Sequence, residues 1–483
     1  MSATPLGARD RLFLNRFSFG HTNQLAKQVH SAGGGRAWFE KQLHPGSIKD
    51  TKGNQVKAWF PDVWYSPSKL YERNESGVAN WWEVMPDLAR WTMMRRVYSS
   101  HQLHEVMVDF WSNLLHVPLG DDYAWVGRVD YDKLIRKHAL GKFDDMLVKA
   151  ITHPAMGLSL DNAFSTKDAP NENLGRELLE LHTVGVDGGY TERDVKNSSR
   201  MLTGYRVDMW PTYKKHYEPD DHWTGTIKVL GFKSTNRSKD GRKATEKYLR
   251  YLAHHPKTAK RIAQRLCVKF VHDNPSSGLV KHVAAAWTHS GTDIKATLRA
   301  MVSHPEFLGS ANQKVRSPLE ETLATIRALG IKPHKPTDDN AFARALYWSV
   351  SGQGMTPYGW PAPNGFPEVN VAWSSPGRAL DSLNAQLRYA SLASWGTGGW
   401  LTTDVGFKSY HSFLPPLPAR FGSVINHVSI TLLGEPATPR MKDGIALRTG
   451  IGLNRRVGRS AMDDNRVKQI LIALLGTPAH LTR

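Results

Sequence analysis

The sequence predicts a mainly α-helical globular protein, on three observations. Apolar residues recur at spacings of three and four along most of the 483-residue chain. Runs of alternating β-branched residues joined by Asn-Gly or Asp-Gly turns do not occur. Hydrophobic residues make up 40% and aromatic residues 10%, too apolar a composition for a disordered chain.

Taken in order, helical spacing appears at 8–19, 23–31, 37–43, 85–99, 101–115, 131–138, 143–151, 172–184 and 192–202. It resumes at 244–254, 258–271, 277–289, 293–303, 319–329, 340–350, 379–394 and 461–475. Three stretches break the pattern: 46–77, 205–242 and 352–377, the last holding Pro357, Pro361, Pro363, Pro367 and Pro376 among Trp360, Phe366 and Trp373. Loops of this length serve binding or act as lids, and their Trp and Tyr content marks them as packed rather than flexible. One large helical domain over 1–483 is expected, with 310–316 the place where a weak boundary would fall.

Composition excludes several classes. No run approaches the ~20 apolar residues of a membrane span. A single cysteine, Cys267, rules out an intramolecular disulfide framework and a thiolate metal cluster. The amino terminus has no apolar signal region, so a cytoplasmic location is the simpler expectation, with an exported form whose signal was removed as the alternative. Lys+Arg 63 against Asp+Glu 44 gives a net charge of +19, but the cations are dispersed and no zinc-finger or RNA-recognition motif accompanies them. Nucleic acid is therefore an unfavoured partner. Thr449-Gly-Ile-Gly452 with Arg455, Arg456 and Arg459 has phosphate-cradling residue types, yet no strand pattern precedes it as a dinucleotide fingerprint requires.

Two acidic segments carry candidate chemistry. At about 100° per residue, His101, Glu105, Asp109, Ser112 and His116 share an arc of roughly 80° if the helix reaches His116. Two imidazoles and two carboxylates on one stripe suit a divalent cation or an acid/base pair, and equally an ordinary solvated face opposite a buried one. In the second segment, Asn171 caps a helix on which Glu172, Arg176 and Glu180 follow at i,i+4, with Asn173 and Glu177 in the adjacent row. Asp161 and Asn162 lie just upstream, so these side chains form a set of hard oxygen donors. His182 projects to the apolar side, more as a core histidine than a ligand. Thr191 with Asp194 makes a capping box. His222 and Trp223 are placed to reach over a pocket from the 205–242 insert, and Trp360 from the 352–377 loop.

Asn171-Glu-Asn-x-x-Arg-Glu-Leu-Leu-Glu-Leu-His-Thr-x-Gly-Val-Asp-Gly-Gly-Tyr-Thr, followed by Leu202-Thr-Gly204, resembles the central signature of the bacterial domain-of-unknown-function 1800 family. Leu14-Asn-Arg-Phe-Ser-Phe-Gly20, Phe110-Trp-Ser-Asn113, His153-Pro-Ala-Met156, His255-Pro-x-Thr-Ala259 and His304-Pro-Glu-Phe307 are similar to further blocks of it. The resemblance implies a largely helical, single-domain bacterial protein, with many exported relatives encoded beside phosphatase- or sulfatase-like partners. It assigns no activity. Where the family pattern has Phe-Trp-x-Asn-His, this chain carries Leu114, with a histidine only at His116.

The functional expectation is an enzyme, metal-dependent or acid/base, with a carboxylate- and histidine-lined pocket between the two acidic helices. Hydrolysis is favoured over oxidative chemistry because no redox motif is present. Glu105, Glu172, Arg176, Glu177 and Glu180 are the expected catalytic groups, and His101, Asp109, His116 and Asp161 the expected ligands of a divalent metal. Asn162, Asn171, Asn173, His182, His222, Trp223 and Trp360 are the expected substrate contacts, with an anionic substrate. The alternative is a non-catalytic binding or assembly protein that recognises a polyanion, an acidic protein partner or, through Trp210, Trp223, Trp360 and Trp373, a polysaccharide.

Overall fold

The computed structural model describes residues 4–209, 212–339, 341–395 and 403–483. Trp210 lies outside them, as does Asn340 at the start of one expected helix. Among the described residues the chain forms 24 α-helices and four two-stranded antiparallel ribbons, so the mainly α expectation holds. No helix among them is long and apolar enough to cross a membrane.

Most expected helices fall within a few residues of their observed bounds. Three differ in instructive ways. Trp125–His138 starts well before the expected 131, because Asp121 Oδ1 accepts the Tyr123 and Ala124 N–H groups and prepares the first turn. Phe421–Leu433 is not among the expected helices: its buried side is apolar and β-branched, but its outer side carries Gly422, Ser423, Asn426, His427 and Ile430, a face without charged residues to mark it. The expected 172–184 helix is an α segment, Glu172–Glu177, continued by a π turn, Leu178–His182. Of the irregular stretches, 46–77 folds into short helical turns, and 205–242 carries the ribbons Tyr205–Val207/Lys215–Tyr217 and Ile227–Val229/Phe232–Ser234.

Helix Gln102–Leu114, here the central helix, is buried on nearly every side: Leu103, Val106, Met107, Val108, Phe110, Trp111 and Leu114 all lie in the core. Around it stand Trp81–Tyr98, Trp125–His138, Pro256–Phe270 and Pro318–Leu329. Arg16, on helix Ala8–Arg16, ties the end of Pro256–Phe270 to the loop at Ser310: Nε donates to the Phe270 carbonyl at 2.8 Å, and Nη2 to those of Val271 and Ser310 at 3.0 and 2.5 Å. The 310–316 segment is paired with the C-terminal end of the chain, with the Arg316 N–H donating to the Leu481 carbonyl and the Arg483 N–H to that of Lys314.

Candidate functional site

The stripe of the central helix faces basic neighbours rather than solvent. Glu105 is fully buried; its Oε1 accepts from Arg95 Nε at 2.6 Å and its Oε2 from Arg136 Nη1 at 2.7 Å. Burial pushes this carboxyl up, but Arg136 and Arg95 outweigh it and hold it well below the ordinary carboxylate range. The network continues outward. Arg95 reaches Asp50 at 3.2 Å, Arg136 reaches Asp132 at 2.6 Å, and the Tyr358 hydroxyl donates to Asp132 at 2.8 Å. Glu105 is thus a permanently ionised link between two guanidiniums, poorly suited to deliver a proton. His101 stands at the N-cap, where Nε2 lies 2.7 Å from the Ile48 carbonyl; it points away from the other end of the stripe.

The other end opens onto cavities. Asp109, Ser112, Asn113 and His116 line a cavity of about 20 Å³, closed by Leu319, Met355, Thr356, Pro357, Tyr358 and Phe366. A second cavity of about 30 Å³ shares Asp109 and Asn113 and adds Lys269, Glu320, Glu368 and Arg483 to its wall. Either volume holds a water molecule. The 352–377 loop is the roof. Asn113 clamps it like one rung of a β-ladder: Nδ2 donates to the Phe366 carbonyl at 2.7 Å, and the Phe366 N–H donates back to Oδ1 at 2.6 Å. Gly365, at φ +68°, is required there, since a Cβ would sit 2.2 Å from the Asn113 carbonyl oxygen.

Because the central helix ends at Leu114, His116 enters the cavity from the turn beyond, not from the stripe itself. Its Nε2 lies 2.7 Å from the Trp360 carbonyl and its Nδ1 3.4 Å from that of Ser112. Burial pushes its pKa down to about 4, so the ring is neutral near pH 7. With the proton on Nε2, donated to Trp360, Nδ1 keeps its lone pair. Asp109 Oδ1 is 2.7 Å from Arg96 Nη2 and its Oδ2 3.7 Å from Lys269 Nζ. Lys269 and Arg483 both meet Glu320 at 3.0 Å. Ser112 Oγ is buried and has no hydrogen-bond partner.

The second acidic segment is a different kind of object. Arg176 is its hub, with Nη1 and Nη2 forked onto Glu192 at 2.8 and 2.6 Å and lying 3.6 Å from Glu180 and 3.4 Å from Glu172. Glu180 also accepts from the Tyr190 hydroxyl at 2.7 Å. Glu177 is half-buried, and burial, then the charge of Glu180, raises its pKa. Asn171 caps the helix through the Asn173 N–H as expected, Asn173 Nδ2 donates to Asp161 at 3.2 Å, and Asn162 Nδ2 donates to the Leu202 carbonyl. The Thr191–Asp194 capping box is present. Gly175 allows this helix to touch Glu192–Leu202, for its Cβ would lie 2.1 Å from Ser199 Oγ. None of these side chains lines the two cavities.

One residue joins the segments. His182, on the π turn, is fully buried, with Nδ1 2.9 Å from the Leu114 carbonyl; burial pushes its pKa down to about 4. It is a core histidine, and its Nε2 lacks a partner. His222 is also a core residue, held by the Thr203 carbonyl at 3.0 Å and Asn236 Oδ1 at 3.1 Å, while Trp223 lies under Arg200. Trp360 reaches the site only through its carbonyl; its indole donates to Asn364.

The four expected metal ligands are not gathered. His101 and Asp161 lie apart from the cavity, leaving Asp109, already engaged by Arg96, and His116. Among the described residues no group of three or more His, Cys, Asp or Glu side chains is placed to hold a metal ion. Conversely, Asn113, Lys269, Glu320, Tyr358, Glu368 and Arg483 belong to the cavities although none is an expected site residue. Asn113 stands in the Phe110–Asn113 block of the family resemblance, and Glu320 carries a readable signal as N3 of the capping box opened by Ser317; the other four carry none.

A mainly α protein with a small, water-sized cavity roofed by a proline-rich loop is thus the class that fold and site define. The model of the family described as "Protein of unknown function (DUF1800)" matches residues 12–478, and the chain belongs to that family. No curated protein and no solved structure matches it.

Proposed function

We propose that the chain is an acid/base enzyme, hydrolytic in type, centred on the cavity between the end of the central helix and the roof loop. The observation that carries this reading is the meeting of Asp109, Ser112 and His116 on the wall of one small, partly open cavity of water-molecule size. Neutral His116 offers Nδ1 as general base toward a water, and Asp109 offers a carboxylate anchored by Arg96. Lys269 and Arg483 supply positive charge on the adjoining wall, which suits a substrate that is anionic or becomes so in its transition state. Substrate entry requires the roof to move away from Asn113 and His116.

The test is turnover of chromogenic carboxylic esters, phosphate monoesters and amides by wild type, His116→Gln, Asp109→Asn and Glu172→Gln. A turned-over substrate should lose at least about a hundredfold in kcat with His116→Gln, as expected for a general base, and nothing with Glu172→Gln. Equal rates in folded His116→Gln and wild type would remove the proposal. The second reading, binding or assembly without catalysis, is favoured by the engagement of Glu172, Glu180 and Glu192 with one arginine. Under it no substrate is turned over by wild type or by any of these variants.

A further inference from the structure

Ala419–Arg420 pairs antiparallel with Arg456–Val457, in register Ala419↔Val457 and Arg420↔Arg456. Val457 is fully buried, so its pair faces the core and the two arginines share the outer face, both exposed. Directly opposed residues have Cβ atoms about 4.5–5.5 Å apart, and like charges in that position repel. Among the described residues no carboxylate lies within ion-pair distance of Arg420, Arg456 or the neighbouring Arg455 and Arg459. Arg456 Nη2 donates only a long bond, 3.4 Å, to the Pro418 carbonyl. Glu435, the one glutamate between residues 419 and 459, is taken by Arg11 at 2.6 Å. Gly450, at φ +68°, ends helix Pro439–Thr449 in the left-handed conformation, so it serves a helix end rather than a phosphate cradle.

We propose that Arg420 and Arg456 form a binding site for a phosphate dianion, either free or as a monoester, held between the two guanidiniums. A planar guanidinium presents paired N–H donors that match phosphate oxygens, and a doubly charged oxyanion relieves the cross-strand repulsion that the unliganded ribbon carries. The site is on the surface and distinct from the interior cavity, since none of these arginines lines it.

Titration calorimetry with inorganic phosphate and phenyl phosphate at low salt tests this. Wild type should bind phosphate saturably at pH 7.5, and Arg420→Gln/Arg456→Gln should bind at least tenfold more weakly. Arg440→Gln/Arg448→Gln removes the same charge from a different element and should change affinity less than threefold. Binding of phenyl phosphate should weaken several-fold at pH 5.5, below the second pKa of a monoester at about 6, and binding of inorganic phosphate, which takes up its second proton nearer neutral pH, should weaken more, while binding of sulfate, dianionic throughout, stays constant. Without ligand the Arg420/Arg456 double variant should melt no lower than wild type, which separates lost binding from lost folding. Comparable binding of phenyl phosphate and phosphate assigns a monoester; phosphate alone assigns the free ion. No saturable phosphate binding by wild type, or equal losses in both double variants, overturns the site.

Discussion

The central helix and the Glu172–His182 segment both present rows of acidic side chains at helical spacing, yet their physics is opposite. Glu105 has no exposed surface and answers to two arginines; Glu172 and Glu192 are substantially exposed and share one arginine with water all around. In the first case low polarity makes each charge depend on its partner, and in the second solvent screens the same Coulomb term. Equal patterns of carboxylates therefore predict unequal consequences, and burial decides which one holds.

The widest separation should come from Glu105→Gln, which leaves Arg95 and Arg136 buried beside a neutral group. A loss of about 3–5 kcal/mol in urea unfolding is expected. Next is acid sensitivity. The folded His182 value of about 4 lies below the ordinary 6.5, so its contribution is complete above pH 6.5 and disappears as pH falls toward 4. That shift corresponds to roughly 3 kcal/mol. His21, His116 and His153 are pushed to about 4 in the same direction by burial, so unfolding at pH 5.5 should take up close to one proton per histidine, read from the slope of stability against pH.

Smaller effects bring the two regions closer together. Asn113→Ala strands the Phe366 N–H and carbonyl and should cost about 1–3 kcal/mol, with faster amide exchange across 357–366. Asn171→Ala removes a helix cap and should cost about 1 kcal/mol in thermal melting. Glu172→Gln should change stability by less than about 0.5 kcal/mol. Glu177→Gln should be neutral or slightly stabilising at pH 7, because the raised folded pKa of Glu177 means its contribution is lost as pH rises through that value. A large loss from either substitution would show that the second ladder is not the solvated structure described.

Most of the helices and both acidic rows are legible in the sequence, because apolar periodicity and i,i+4 charge spacing are local properties. The Asn171 cap and the Thr191 box are legible for the same reason. What is hidden is non-local. Nothing near Glu105 announces that Arg136 arrives from 31 residues away, or that Lys269 and Arg483 approach Asp109 and Glu320 from still further along the chain. The stripe consequently looks continuous in the sequence, although only Asp109, Ser112 and His116 of its five members reach the cavity. Phe421–Leu433 is hidden for another reason, since its outer face, with Gly422, Ser423, Asn426, His427 and Ile430, has no charged residue to contrast with the buried side.

The roof loop sets a ceiling on how often the interior meets solvent. Asn113 holds it twice, His116 binds the Trp360 carbonyl, Tyr358 binds Asp132, and Lys314 Nζ donates to the Glu368 carbonyl at 2.8 Å. At roughly 1 kcal/mol net for each bond, releasing all five leaves on the order of one molecule in several thousand open at a given moment. If the proposed reaction takes place there, substrate entry would be limited by loop opening rather than by diffusion, and saturation would be reached slowly even at high concentration.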